Sequence, residues 1–130
     1  MINVGNYKFV HSCIRVLDLE ESVNFYKEAL DLKVASRRDF PEGEFTLVYL
    51  EDEQSDFQLE LTYNYDQKEP YTIGDGYSHI AVTVANLEES HRKHKEMGYE
   101  VTDLTSLSDS GGGYYFLTDP DGYDIEVIQG

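Results

Sequence analysis

One pattern is written twice in this chain. His11-Ser-Cys-Ile-Arg-Val-Leu-Asp-Leu-Glu-Glu-Ser22 returns as His79-Ile-Ala-Val-Thr-Val-Ala-Asn-Leu-Glu-Glu-Ser90, and Lys27-Glu28 is answered by Lys95-Glu96 at the same offset. Each copy also closes on a short run with a central glutamate, Phe57-Gln-Leu-Glu60-Leu-Thr in the first and Tyr123-Asp-Ile-Glu126-Val-Ile in the second. A duplicated chain of 130 residues reads as two half-size modules, 1–66 and 67–130. Either would be marginal alone, so the two must share or abut their cores.

Alternation of apolar and polar residues makes both ends of each module strands. Ile14 and Val16 oppose His11, Cys13 and Arg15; Leu59 and Leu61 oppose Gln58, Glu60, Thr62 and Asn64. In the second copy Ile80, Val82 and Val84 oppose His79, Ala81 and Thr83, while Ile125 and Val127 oppose Asp124 and Glu126. Between them, Asp18 with Glu21 and Asn86 with Glu89 mark two helix starts of the capping-box kind, and Gly98 is placed to end the second helix. The pattern predicts strands at 8–17, 33–38, 45–51 and 57–64 around a helix at 18–30. The second copy gives strands at 77–84, 99–104, 113–118 and 123–128 around a helix at 86–97. Asp119-Pro-Asp-Gly122 supplies the tight turn before the last strand. The expected class is α+β: tandem βαβββ modules whose helices cover one sheet face, leaving polar faces to curve around a cleft.

That cleft would be lined by His11, Glu60, His79 and Glu126. A single His or Glu on a half-exposed strand is ordinarily a solvated side chain. Four at matching places in a repeat are different, because their neighbours diverge (Arg15 against Thr83, Gln58 against Asp124) while they persist. Imidazole and carboxylate together suit a borderline divalent ion, and two of each with room for water suit octahedral Ni, Co, Mn or Zn.

Bulk properties exclude other classes. A net charge of −16 with ten Lys plus Arg leaves no basic stripe for a phosphate backbone. The acidic residues fall largely on helix surfaces, where they aid solubility. No apolar run is long enough for a bilayer and no leader opens the chain, so a soluble, cytoplasmic protein is expected. The lone Cys13 can form no internal disulfide and fits a reducing compartment.

The chain resembles the glyoxalase I (lactoylglutathione lyase) family of the vicinal-oxygen-chelate superfamily over nearly its whole length. The segments that carry the resemblance are His11-Ser-Cys-Ile-Arg-Val16, Ser22-Val-Asn-Phe-Tyr-Lys-Glu-Ala-Leu30, Leu59-Glu-Leu-Thr-Tyr-Asn64, Tyr77-Ser-His-Ile-Ala81 and Asp119-Pro-Asp-Gly-Tyr-Asp-Ile-Glu-Val-Ile128. It implies that His11, Glu60, His79 and Glu126 are metal ligands, with His11 and Glu60 of one chain meeting His79 and Glu126 of the other in a homodimer. It also implies isomerisation of the methylglyoxal–glutathione hemithioacetal to an S-lactoyl thioester by enediolate proton transfer. Glu126 is then the base, with Glu60 serving the opposite face. By the same resemblance Arg15 and Asn64 hold the glutamyl end of the thiol, glutathione is the co-substrate, and a chain this short belongs with the nickel- or cobalt-activated members, Zn or Mn being the other metals that suit the ligands. The chain departs from the pattern at Ser108-Asp-Ser-Gly111, where many members place a lysine before the glycine-rich loop; Lys68 is the available substitute.

Two other readings share the superfamily: an epimerase or thiol transferase, and a non-catalytic binding module for small molecules. Glu60 argues against the epimerase, which more often has glutamine there. The full quartet argues against the binding module. Among weaker signals, His91 and His94 read as surface histidines, and Ser108 to Gly113 as a hairpin tip or lid. Tyr63, Tyr65, Tyr71, Tyr77, Tyr114 and Tyr115 read as strand tyrosines with surface hydroxyls.

Overall fold

The computed structural model describes residues 2–106 and 112–130. By internal contacts the chain divides into two units, Met1–Glu69 and Pro70–Gly130. The fold class is α+β.

In the first unit, β1 (His11–Arg15), β2 (Lys33–Phe40), β3 (Phe45–Glu51) and β4 (Gln58–Asn64) form one sheet in the order β1-β4-β3-β2. β1 runs parallel to β4, and the other pairings are antiparallel. Helix α1 (Leu19–Leu30) starts where Asp18 Oδ1 accepts the Glu21 N–H, and it ends at Asp31 in the left-handed region. Its Leu19, Phe25, Tyr26 and Ala29 are buried, as are Ile14, Val16, Val48, Leu50, Leu59 and Leu61 of the sheet and its approach. Burying one such aliphatic or aromatic side chain contributes about 1.5–3 kcal/mol, so this one-sided core fixes which residues of each strand face away from the helix. The first strand is shorter than predicted: residues 2–10 have no regular structure, although the Gln58 N–H donates to the Val10 carbonyl at 3.0 Å.

In the second unit, β5 (Ile80–Val84), β6 (Tyr114–Thr118) and β7 (Asp124–Gln129) form a sheet in the order β5-β7-β6, with β5 parallel to β7. Helix α2 (Leu87–Glu96) is capped by Asn86 Oδ1, which accepts the Glu89 N–H. Ile125, Val127, Tyr115 and Leu117 are buried. The Asp119 carboxylate accepts the N–H groups of Asp121 and Tyr123, and Gly122 takes the positive φ that closes the turn into β7.

The strand predicted at 99–104 is reduced to isolated bridges, Val101 with Leu117 and Thr105 with Tyr114. The cause is local. The Phe116 N–H donates to the Thr102 hydroxyl instead of a carbonyl, and the Thr102 carbonyl lies 2.8 Å from His91 Nε2, so the ladder slips by one residue between the bridges.

His94 is not a surface histidine. It is 2% exposed, with Nδ1 2.6 Å from the Tyr115 hydroxyl, which also lies 2.7 Å from Ser90 Oγ. Tyr115 is likewise fully buried, against the expectation of a surface hydroxyl. Burial pushes its phenol pKa up, and the bond to Ser90 offsets this in part. The repeat held the signal: aligned at its own offset, His94 occupies the place of the buried Tyr26. No helix among the described residues is long and apolar enough to cross a membrane.

Candidate active site

The two sheets carry the same construction on the face turned away from their helices. Pairing of β1 with β4 sets Cys13 beside Glu60, and the matching pair in the second unit sets Ala81 beside Glu126. His11 opens β1, and His79 lies one residue before β5. The alternation that buries Leu59 and Leu61, or Ile125 and Val127, turns each glutamate to the opposite side.

In each unit the imidazole and the carboxylate meet. His11 Nε2 is 3.3 Å from Glu60 Oε1, and His79 Nε2 is 3.3 Å from Glu126 Oε1. An aromatic ring from the strand on the far side of each glutamate strand stands edge-on to each histidine: Tyr49 at 5.5 Å and 76° in the first unit, Phe116 at 5.2 Å and 76° in the second. Ser78 Oγ lies 2.7 Å from His79 Nδ1; with Nδ1–H donating there, Nε2 keeps its lone pair toward Glu126.

The carboxylates differ in their surroundings. Glu60 Oε1 accepts the Tyr49 hydroxyl at 2.9 Å, and Oε2 accepts the Thr62 hydroxyl at 2.6 Å and the Cys13 thiol at 3.1 Å. Burial pushes the Glu60 carboxyl up, but the bonds from Thr62, Cys13 and Tyr49 and the nearby His11 outweigh it and hold its pKa below the ordinary value. The reciprocal effect raises Tyr49, chiefly because its phenol must keep the proton it donates to Glu60. Cys13 is also raised, by burial first. Glu126 has no such set: among the described residues its one hydrogen-bonding or ionic partner is His79.

The donors suit a divalent metal. Two ligand atoms each about 2.1 Å from one ion stand about 3.0 Å apart at a right angle and about 3.4 Å at the tetrahedral angle. The 3.3 Å spacing in each unit, that of a His–Glu ion pair, falls within this range. Each unit offers one imidazole nitrogen and one carboxylate. Among the described residues no group of three or more His, Cys, Asp and Glu side chains is gathered to hold a metal ion.

Arg15 and Asn64 lie on the His11/Glu60 face of the first sheet, paired across the ladder with Thr62 and Phe45 respectively. Lys68, the expected substitute for a basic residue before the glycine-rich loop, donates its Nζ to the Tyr65 carbonyl at 3.0 Å. Of the segment read as a hairpin tip or lid, Ser108 to Gly113, residues 108–111 lie outside the described residues. A groove lined by Leu19, Val23, Val34, Arg37 and Val48 is on the helix side of the sheet and includes none of the site residues. The sequence reading missed Tyr49 altogether and gave Cys13 and Thr62 no role. The faces of Cys13 and Thr62 follow from alternation, but the register that brings Tyr49 to Glu60 does not.

Residues 8–127 match the Glyoxalase/Bleomycin resistance protein/Dioxygenase superfamily, to which the chain belongs. Within it, the chain is 40% identical over 125 residues to a lactoylglutathione lyase of Neisseria meningitidis serogroup A, covering 94% of this chain and 90% of that one. It is 34% identical over 125 residues to the lactoylglutathione lyase of Escherichia coli O157:H7, covering 94% and 92%. Among solved structures, glyoxalase I from Zea mays matches with a TM-score of 0.85 at 31% identity, over 95% of this chain and 44% of the maize chain. The trypanothione-dependent glyoxalase I of Leishmania major matches with a TM-score of 0.80 at 36% identity, over 95% and 87%. These likenesses make the protein an enzyme of the lactoylglutathione lyase type, a carbon–sulfur lyase.

Proposed function

We propose that this protein is a metal-dependent glyoxalase I, converting the hemithioacetal of methylglyoxal and a small thiol, glutathione first among them, to the S-lactoyl thioester. The observation that carries this reading is the repeated His–Glu pair, one in each unit, at the same 3.3 Å spacing. His11, Glu60, His79 and Glu126 would hold a divalent ion, with nickel or cobalt favoured. Bound there, the ion lowers the cost of negative charge developing on the substrate's two vicinal oxygens.

The chain's own residues do the rest. Glu126 takes the proton from C1 and returns it to C2, and the hydroxyl proton passes from the C1 oxygen to the C2 oxygen. C1 ends oxidised and C2 reduced, so no external electron carrier enters. Arg15 offers a fork to the thiol's glutamyl carboxylate, with Asn64 beside it as a directional donor. The Leishmania relative's dependence on trypanothione shows that the thiol varies within the family. The four ligands come together in a homodimer, His11 and Glu60 from one chain with His79 and Glu126 from the other. A reducing, cytoplasmic setting fits both the lone cysteine and a thiol co-substrate.

Glu126→Gln tests the reading. An amide oxygen still ligates but cannot accept the proton, so isomerisation should fall by several orders of magnitude while the metal is retained. A variant keeping more than about a tenth of the wild-type rate would remove Glu126 from the role of base.

A further inference from the structure

Duplication by itself would yield two equivalent carboxylates, yet the isomerisation needs them to differ. One would hold the ion, while the other, taking the proton from C1 and returning it to C2, would need freedom to move. The molecule breaks the symmetry at three places that the strand register aligns exactly between the units. Tyr49 pairs with Glu60, and Phe116 occupies the same place beside Glu126. Cys13 pairs with Glu60 where Ala81 pairs with Glu126. Thr62, two residues after Glu60 on β4, corresponds to Ile128 on β7. Each position that gives Glu60 a donor gives Glu126 a side chain with none.

The consequence is visible in the contacts. Both oxygens of Glu60 are taken, Oε1 by Tyr49 at 2.9 Å and Oε2 by Thr62 at 2.6 Å and Cys13 at 3.1 Å, and its side chain is 12% exposed. Glu126, 20% exposed, has His79 as its one hydrogen-bonding or ionic partner among the described residues. The rings of Tyr49 and Phe116 stand at the same 76° to their histidines, so the principal difference at that place is one hydroxyl.

Building on the isomerase reading of this site, we propose that Tyr49, Thr62 and Cys13 are positioning residues that pin Glu60 as the fixed ligand. The loss of their counterparts beside Glu126 leaves that carboxylate mobile enough to shuttle the proton. Groups that hydrogen-bond a metal ligand orient it, and removing them typically lowers metal affinity or activity 10- to 100-fold. The cage therefore belongs to ion retention, and its absence in the second unit belongs to turnover.

Two changes that interconvert the units test this. Tyr49→Phe combined with Thr62→Val strips the cage while keeping shape; the protein should release nickel(II) to a competing chelator about 10- to 100-fold more readily than wild type. The unfolding midpoint of the metal-free protein reports whether the fold has been kept. Phe116→Tyr brings a donor to Glu126; nickel retention should stay at or above the wild-type level, while kcat falls at least about tenfold with KM little changed. Tyr49→Phe alone, the smallest of these changes, serves if the double variant unfolds, with nickel release again expected to rise above that of wild type. Wild-type nickel affinity in the stripped variant, or wild-type kcat in Phe116→Tyr, overturns the cage while leaving the isomerase reading standing. A wild-type protein that neither retains nickel nor isomerises any hemithioacetal overturns both.

Discussion

Replacing Tyr115 by Phe removes a single oxygen from the middle of the second unit, and the structure sets what that oxygen is worth. The hydroxyl is fully buried and lies 2.6 Å from His94 Nδ1 and 2.7 Å from Ser90 Oγ. Both partners are on α2, so this one group ties the helix to β6. Each intramolecular hydrogen bond contributes about 0.5–1.5 kcal/mol net, and a buried polar group that loses its partner costs about 1–3 kcal/mol. Of the two partners only His94 is itself fully buried. Counting one desolvated imidazole nitrogen and one lost hydroxyl bond, Tyr115→Phe should cost about 2–4 kcal/mol. For a chain of this length that is roughly a 6–15 °C fall in melting temperature. Calorimetry or urea unfolding of metal-free protein measures it without the stabilisation that bound metal would add. Tyr114→Phe is the control: its hydroxyl makes no hydrogen bond among the described residues, and the change should lie within about 0.5 kcal/mol of wild type. A Tyr115→Phe loss as small as the control's would mean that the Ser90–Tyr115–His94 chain does not hold the helix.

Arg15→Ala should raise KM for the thiol adduct about ten- to a hundredfold, the scale of a charge-assisted hydrogen bond at about 1.5–3 kcal/mol, with a smaller effect on kcat and none on metal content. An unchanged KM with methylglyoxal and glutathione would take Arg15 out of the thiol site. Tyr77 gives a pH signature. Burial, helped by Asp119 and Asp124, pushes its phenol pKa up to about 12, and its hydroxyl donates to the Asp124 carbonyl. Because the folded value lies above the unfolded one, the contribution is fully present below about pH 10 and is lost as pH rises toward 12. Urea midpoints across that window should fall less steeply in Tyr77→Phe than in wild type, and equal slopes would refute the assignment.

Strand faces were readable wherever alternation was strict. Leu59 and Leu61 against Glu60, and Ile125 and Val127 against Glu126, put each glutamate opposite the apolar row, as the buried residues show. Helix starts were readable because Asp18 and Asn86 cap by a local, sequence-adjacent contact. What the sequence did not give up was set by partners distant in the chain. Thr102 trades a ladder bond for a side-chain bond to Phe116, which shortens a predicted strand to bridges. His94 is polar by type, and its bond to Tyr115, a residue distant in sequence, helps to make its burial tolerable. Tyr49 meets Glu60 through the pairing of β3 with β4, a register that no short-range pattern encodes.

The central claim, that one catalytic metal centre is built from His11 and Glu60 of one chain and His79 and Glu126 of another, is met most directly by mixing two inactive proteins. His11→Ala and Glu126→Gln homodimers each lack a working site. After subunit exchange, a heterodimer holds one site carrying both changes and one carrying neither. Equal mixing places half of the chains' pairs in heterodimers with one good site each, so the mixture should recover about a quarter of the wild-type rate. No recovery, with exchange demonstrated by a tagged subunit, would contradict a centre shared between chains.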